Sequence, residues 1–229
     1  EKPLTLNLIE AQELNELSKE FNINLMVGHL LLFHPAFKKI QEIIQNGKLG
    51  ELQYIYSNRL NLGNFRQDEN VLWSFAPHDI ALFNYFFKDT PHEVTSRGLD
   101  ILQKGIHDTT ITSLNYTNKR MGHIFVSWLH PFKEHRFVIV GSEGMIHFED
   151  AAKNKPLIFY NKNVKPGALP TEFNLEESEK IKYSDKMALT EQLKYFMSKI
   201  DSGKVEVANG DSAVQVMSVL EKATKSLIN

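Results

Sequence analysis

Five short segments between residues 94 and 149 alternate apolar and polar side chains, which is the pattern of a β-strand with one buried face. Tight-turn sequences separate several of them, including Asn118-Lys119-Arg120 and Ser142-Glu143-Gly144. Since consecutive hairpins build antiparallel sheets, the centre of the chain predicts one large antiparallel sheet. The segments span residues 94–101, 109–116, 123–129, 137–141 and 145–149.

Helical periodicity flanks this sheet on both sides. Asn7 is a good N-cap, and Ala11, Leu14, Leu17 and Phe21 then recur at helical spacing. Further predicted elements are a buried strand at 25–28, a helix from Pro35 to Gly47, a strand at 52–61, and helices at 78–87, 189–200 and from Asn209. The predicted fold is α+β, with a large, mostly antiparallel, open-faced sheet and helices on one face.

The open face of the predicted sheet is itself apolar. Ile124, Val126 and Trp128 should point to one side of their strand, whereas Phe125 and Leu129 should point to the other. Helices on one face leave the second face as a patch too large for a monomer. We therefore expect a homodimer, or a higher oligomer, through the open sheet face.

Composition excludes several classes of function. The chain has 229 residues and a net charge of −2, so no basic surface for nucleic acid is indicated. No apolar stretch approaches the roughly 18 residues that a membrane span needs. The absence of cysteine excludes disulfides and fits a cytoplasmic protein. No H-E-x-x-H motif occurs, so no metal site is expected.

A dinucleotide-binding signature is also missing. No G-x-G-x-x-G occurs among the 12 glycines, so the sequence offers no pyrophosphate turn at the start of a helix. The chain opens at Glu1-Lys2-Pro3 and reaches a helix without a preceding strand. We expect a fragment whose dinucleotide-binding (Rossmann) domain is absent, and no cofactor bound to this chain alone.

An ordered set of motifs runs through the chain: Glu1-Lys2-Pro3-Leu4, Met26-Val27-Gly28-His29, Pro35-Ala36, Gly47-Lys48-Leu49-Gly50, Asn61-Leu62-Gly63, Arg66, Trp73 to Ile80, and Ser127 to Pro131. This set resembles the glucose–fructose oxidoreductase/inositol dehydrogenase (Gfo/Idh/MocA) family. The resemblance implies an NAD- or NADP-dependent enzyme of two domains. Residues 1–34 would be the remnant of the dinucleotide-binding domain. Residues 35–229 would be the substrate-binding and dimerisation domain, similar to the C-terminal domain of glyceraldehyde-3-phosphate dehydrogenase.

The resemblance also implies a substrate class. Residues 73–80 look most like those of bacterial enzymes that oxidise the 3-hydroxyl of a UDP-N-acetylhexosamine. The expected substrate is therefore a sugar or a nucleotide sugar.

Lys2 matches the lysine of the family's Glu-Lys-Pro motif, which implies a general base for a sugar hydroxyl. A lysine that loses solvation has a lower pKa and can accept a proton. Together with Pro3, Lys2 is also expected to border the cofactor. The alternative is a solvated surface lysine.

His78 matches the histidine of the family's Asp-x-x-x-His signature, which implies a proton relay. At a helix N-terminus the ring would favour its neutral form. The position four residues earlier is Ser74 rather than aspartate, and the acidic residue is instead Asp79, expected to bind substrate or cap the helix. The alternative for His78 is a helix cap or a core histidine.

Substrate-binding residues are predicted before His78. Arg59, Asn61 and Arg66 lie at a strand end and in the following loop, and arginine forks suit a pyrophosphate. Two solvated arginines are the alternative. Tyr54 is a further binding candidate, and the weaker ones are His29, Lys133 and His135.

Two rival functions remain open from the residues. The chain could be a non-catalytic binding or dimerisation module without redox activity. A metal-dependent hydrolase built on His78, Asp79 and His29 is the more distant possibility.

Overall fold

The computed structural model describes residues 1–63, 65–161, 178–200 and 203–228. The helices are α1 (Leu8–Glu20), a 3-10 helix (Leu30–Phe33), α2 (Pro35–Gln45), α3 (Val71–Phe87), α4 (Ala188–Ile200) and α5 (Gly210–Ile228). The strands are β1 (Leu52–Leu62), β2 (Glu93–Leu99), β3 (Thr109–Asn115), β4 (Met121–Ser127), β5 (Leu129–Gly141), β6 (Met145–Glu149), β7 (Leu157–Tyr160) and β8 (Ser178–Lys180). Within these ranges, no helix combines the length and the apolar character that a membrane crossing needs.

The eight strands form one sheet in the order β2-β3-β4-β1-β5-β6-β7-β8. All pairings are antiparallel except that of β1 with β4, so the prediction of a mostly antiparallel sheet is confirmed. The exception arises because β1 lies between β4 and β5, which follow each other in sequence. Those two strands therefore both pair with β1 instead of forming a hairpin with each other.

Helices cover one face of the sheet, as predicted. Ile124, Val126 and Trp128 are buried on that side, whereas Phe125 keeps part of its surface exposed on the other. Helix α3 packs directly over the strands, and a Cβ added at Gly122 would lie only 2.6 Å from the Phe83 ring. A side chain at position 122 would therefore push α3 off the sheet.

Several predicted boundaries are wrong, and β5 begins at Leu129 rather than at residue 137. The helix expected to begin at His78 begins at Val71, because the Asn70 side chain caps it by accepting a hydrogen bond from the Trp73 amide at 3.2 Å. Pro77 lies inside this helix, although a proline there removes one backbone donor. The strand expected over residues 25–28 is reduced to one bridge, between Met26 and Asn209, because no neighbouring strand extends it.

Helix α1 follows its predicted cap but not its predicted burial. The Asn7 side chain accepts from the Glu10 amide at 2.9 Å, as the capping pattern requires. Ala11 is buried against the body of the protein, where α5 binds α1 through Asp211 and Glu221. The apolar residues Leu14, Leu17 and Phe21 are instead exposed. One side of α1 is thus an apolar surface that nothing in the described chain covers.

Candidate active site

The N-terminal segment lies against the first half of α3. The Lys2 ammonium group donates a hydrogen bond to the Ser74 carbonyl oxygen at 2.5 Å, one helical turn before His78. Burial lowers the pKa of Lys2 below that of an ordinary lysine, and the guanidinium groups of Arg66 and Arg59 lower it further. The half-buried Pro3 follows directly. The structure therefore brings Lys2 and His78 to the same place.

His78 lies in the third turn of α3, so the prediction that it stands at a helix N-terminus is wrong. Its ring meets the ring of His29 edge-on, with 6.0 Å between centroids and an interplanar angle of 83°. Burial lowers the pKa of His78 well below the ordinary histidine value, and the Arg59 charge adds to this effect. His78 is therefore neutral near pH 7, because of burial and neighbouring cations rather than a helix dipole.

Asp79 neither caps a helix nor faces His78. Its carboxylate is fully buried inside α3 and accepts a hydrogen bond from the Arg59 Nε at 2.6 Å. Arg59 reaches it from β1, with only 14% of its side chain exposed. Burial raises the pKa of Asp79, and the guanidinium group opposes that rise. This ion pair joins the sheet to α3. We refer to Lys2, His29, Arg59, His78 and Asp79 together as the Lys2 cluster.

The loop after β1 adds a second ion pair beside this cluster. The Arg66 Nε lies 3.0 Å from a Glu69 carboxylate oxygen, and more than half of the arginine side chain is exposed. Glu69 raises the pKa of Lys2 and so partly offsets the lowering of that pKa by burial. Sequence reasoning missed Glu69, although an acid three residues after Arg66 was a visible signal. Asn61 is half-buried near the end of β1, before this loop.

His135 extends the site along β5, where it is paired in register with Arg59. Burial lowers the pKa of His135 to about 4, and the charges of Arg59 and Lys133 also lower it. The Asp150 charge opposes these effects by raising the pKa of His135, and it also acts to raise the pKa of His34. The exposed Lys133 is therefore at the edge of the site. Asp150 could not be predicted as part of the site, since only the sheet register brings it close to His135.

Tyr54 lies apart from the Lys2 cluster. Side chains alternate along a strand, so Tyr54 and Arg59 point to opposite faces of the sheet. The Tyr54 hydroxyl bonds the His123 Nδ1 at 2.5 Å on the open face, where Tyr56 also stacks on the His123 ring. The structure therefore separates Tyr54 from the other predicted substrate-binding residues.

The Lys2 cluster combines a proton acceptor with a neutral donor. A lysine with a lowered pKa can take a proton from a hydroxyl group, and a neutral imidazole beside it can donate a hydrogen bond to the same oxygen. Among the residues that the structure describes, no group of three His, Cys, Asp or Glu side chains could hold a metal ion. Asp79 is bound to Arg59 instead of joining His29 and His78. This chemistry suits the oxidation of an alcohol.

Sequence comparisons identify related proteins. Residues 37–147 match the family described as the GFO/IDH/MocA C-terminal domain. Arg59, Arg66, His78 and Asp79 lie within this matched range. The chain is 25% identical to myo-inositol 2-dehydrogenase of Thermotoga maritima, over 99% of the chain and 69% of that protein. It is 27% identical to trans-1,2-dihydrobenzene-1,2-diol dehydrogenase of Xenopus laevis, over 64% of the chain and 46% of that protein. The chain thus spans less than half of the second relative.

Solved structures share the fold. UDP-N-acetylglucosamine 3-dehydrogenase from Acidithiobacillus ferrooxidans superposes with a TM-score of 0.83 at 21% identity, over 99% of this chain and 69% of that one. Aldose-aldose oxidoreductase from Caulobacter crescentus superposes with a TM-score of 0.81 at 13% identity, over 98% and 68% of the two chains. At these identities the likeness establishes the architecture alone.

Proposed function

Because this chain carries the C-terminal domain of the GFO/IDH/MocA oxidoreductase family across residues 37–147, we propose that it binds the substrate of an NAD(P)-dependent dehydrogenase. The substrate would be a cyclic polyol or sugar that is oxidised at a secondary ring hydroxyl. The observation that carries the proposal is the position of Lys2, partly buried and bonded to α3 one turn from the neutral His78.

Four members of the Lys2 cluster have a role in this reaction. The Lys2 amine takes the hydroxyl proton as the O–H bond breaks, while His78 donates a hydrogen bond to that oxygen. A bound NAD(P) would supply the acceptor for the hydride and its electron pair from the same carbon, so that a ketone would form as the nicotinamide is reduced. Arg59 and Asp79 hold β1 against α3 and so fix the distance between base and substrate.

The residues of this chain fit the reactive end of that cofactor rather than its phosphates. In this proposal Lys2 and Pro3 would border the nicotinamide, whereas the sequence has no glycine-rich pyrophosphate turn. We therefore propose that the pyrophosphate binds to a separate dinucleotide-binding domain.

The exposed side of α1 supports that arrangement. Leu14, Leu17 and Phe21 follow helical spacing but remain exposed, as expected of a helix that packs on a further domain. In this proposal residues 1–34 form the junction with the dinucleotide-binding domain, and residues 35–229 form the substrate-binding and dimerisation domain.

A nucleotide sugar is the finer form of the substrate proposal. Among the described residues Arg66 pairs with Glu69 through Nε, so its two terminal nitrogens would be available for a phosphate beside Lys2. Arg59 is less available, since it is largely buried and bonded to Asp79. Arg66 is therefore the better phosphate ligand of the two.

The function can be tested in a fusion protein that joins a dinucleotide-binding domain to Glu1 of this chain. Reduction of NAD and NADP would be followed with myo-inositol and with UDP-N-acetylglucosamine as separate substrates. We expect reduction with at least one substrate, and preference for the nucleotide sugar if Arg66 binds phosphate. Tight binding of either alcohol without cofactor reduction would instead support a non-catalytic binding module.

The open sheet face supports a further proposal, that the chain is a homodimer through this face. Leu99, Ile111 and Met121 are exposed there on adjacent strands. Ile111→Lys should therefore yield monomers at micromolar concentration, because the interface would have to bury a charge. Light scattering coupled to size exclusion measures this mass.

Leu189→Lys is the matched control for the dimer prediction. Leu189 on α4 and Ile111 on β3 are both 54% exposed, but α4 does not belong to the open sheet face. This control should leave the mass of the dimer unchanged. A monomeric mass for the unaltered chain would contradict the proposed interface.

A further inference from the structure

We propose that His29 is a positioning residue that holds the His78 ring in place for the reaction. This role rests on the function proposed above, and it requires no contact between His29 and the substrate. It follows from how His29 is placed, what it touches and what else could orient His78.

His29 is fixed by its surroundings. It directly precedes the 3-10 helix and is only 2% exposed, and its carbonyl accepts a hydrogen bond from the Leu32 amide at 3.0 Å. The preceding residue, Gly28, lies close to the N-terminal segment, since a Cβ added there would be 3.6 Å from the Glu1 Cα. The same short segment therefore packs against the backbone that carries Lys2 and presents a ring to α3.

The two rings share an unusual arrangement of polar atoms. The Nδ1 atoms of both His29 and His78 are buried, and neither has a hydrogen-bond partner among the described residues. Leaving such an atom unpaired costs about 1–3 kcal/mol, so this arrangement opposes stability. Unpaired buried polar groups in folded proteins often have a functional reason.

The usual means of orienting a catalytic histidine is a carboxylate, and none of the described residues supplies one to His78. Asp79 is committed to Arg59, and position 74 is a serine whose carbonyl oxygen accepts from Lys2. In the described part of the chain, no hydrogen bond reaches either ring nitrogen of His78, and the edge of His29 is the aromatic contact that limits its rotation. His29 therefore performs the orienting role that a carboxylate usually has, and it does so by packing rather than by charge.

Packing by His29 also keeps His78 neutral. The charged or titratable groups that act on His78 are Arg59 from β1, Lys2 from the N-terminal segment and His29 itself. Those acting on His29, besides its burial, are Lys2 and the terminal ammonium of Glu1. All of these oppose a further positive charge. Burial lowers the pKa of His29 to about 4, so His29 is itself neutral near pH 7.

The test is an NMR titration of the imidazole Cε1–H signal of His78 in the 229-residue chain and in two variants. His29→Ala removes the ring and admits water, so the pKa of His78 should rise by about 0.5 or more toward the ordinary value. His29→Phe keeps an aromatic edge and should retain a lowered pKa. His92→Ala, which removes an exposed histidine, is the control and should leave His78 unchanged.

Kinetics of the enzyme joined to a dinucleotide-binding domain provide the second readout. His29→Ala should lower kcat about tenfold or more with KM changed less than about twofold, and His29→Phe should recover most of the rate. An unchanged pKa of His78 in a folded His29→Ala chain would overturn the proposal, as would equal effects of alanine and phenylalanine. If the enzyme shows no dehydrogenase activity, the proposed function fails, whereas the titration still decides whether His29 positions His78.

Discussion

Replacing Lys2 with alanine is expected to lower kcat by about 100-fold or more, which is the range for loss of a general base. The reason is that Lys2 is the group in the cluster whose lowered pKa suits it to take the hydroxyl proton. KM should change little, because proton transfer contributes to the transition state rather than to substrate binding. Steady-state kinetics with the ring alcohol and saturating cofactor measure both quantities.

Lys2→Arg separates proton transfer from charge. Arginine keeps the positive charge and can still donate to the Ser74 carbonyl, but it does not lose its proton in proteins. It should therefore be nearly as inactive as alanine. Lys48→Ala, at an exposed turn, is the control for the loss of one lysine and should retain activity. A Lys2→Arg enzyme with kcat within about threefold of the original would contradict the general base role.

The pH dependence has a definite sign. Only the neutral amine can accept a proton, so kcat/KM should rise with pH as Lys2 deprotonates and become level above its pKa. Because burial lowers the pKa of Lys2, this rise should occur below the ordinary lysine range. Lys2→Ala should abolish the rise.

Asp79→Asn is expected to have the largest effect on stability. The substitution keeps the shape of the side chain but leaves the largely buried Arg59 guanidinium without its counter-charge. Breaking a buried pair from one side costs about 3–5 kcal/mol, so the free energy of unfolding should fall by that amount. For a chain of this size, the melting temperature should fall by about 6–20 °C. Urea unfolding followed by circular dichroism measures the first quantity.

The double variant Arg59→Met/Asp79→Leu tests the physical cause. Removing both charges leaves apolar groups of similar volume, and such replacements are often neutral or stabilising. It should therefore recover most of the stability lost by Asp79→Asn. If the double variant is as unstable as the single one, packing at these positions matters more than the ion pair.

Periodicity alone was sufficient for most of the sheet. Apolar residues at every second position placed β2, β3, β4 and β6 within two residues of their observed ends. The insertion of β1 between β4 and β5 could not be predicted, because it depends on contacts between residues more than 60 positions apart. Local patterns contain no information on such a distant pairing.

The candidate site was only partly visible in the sequence. Lys2 and His78 were found by motif, and the structure brings them together. The pairing of Asp79 with Arg59 was not foreseen, because it requires the register of a helix against a sheet. His29 and His78 were considered together only for a metal-dependent hydrolase, and their edge-on ring contact could not be predicted because the fold alone brings them together.

The central place of β1 has a consequence for how the polypeptide acquires its structure. Leu52–Leu62 is synthesised before both strands that flank it in the sheet, which end at Ser127 and Gly141. It therefore cannot pair until those strands have been synthesised. Closing loops of this length before any pairing is gained costs entropy and slows folding. The hairpin of β2 and β3 can form beforehand, whereas the middle of the sheet should assemble in one late, cooperative step. Until that step, β1 exposes two unpaired edges, which makes the nascent chain prone to aggregation.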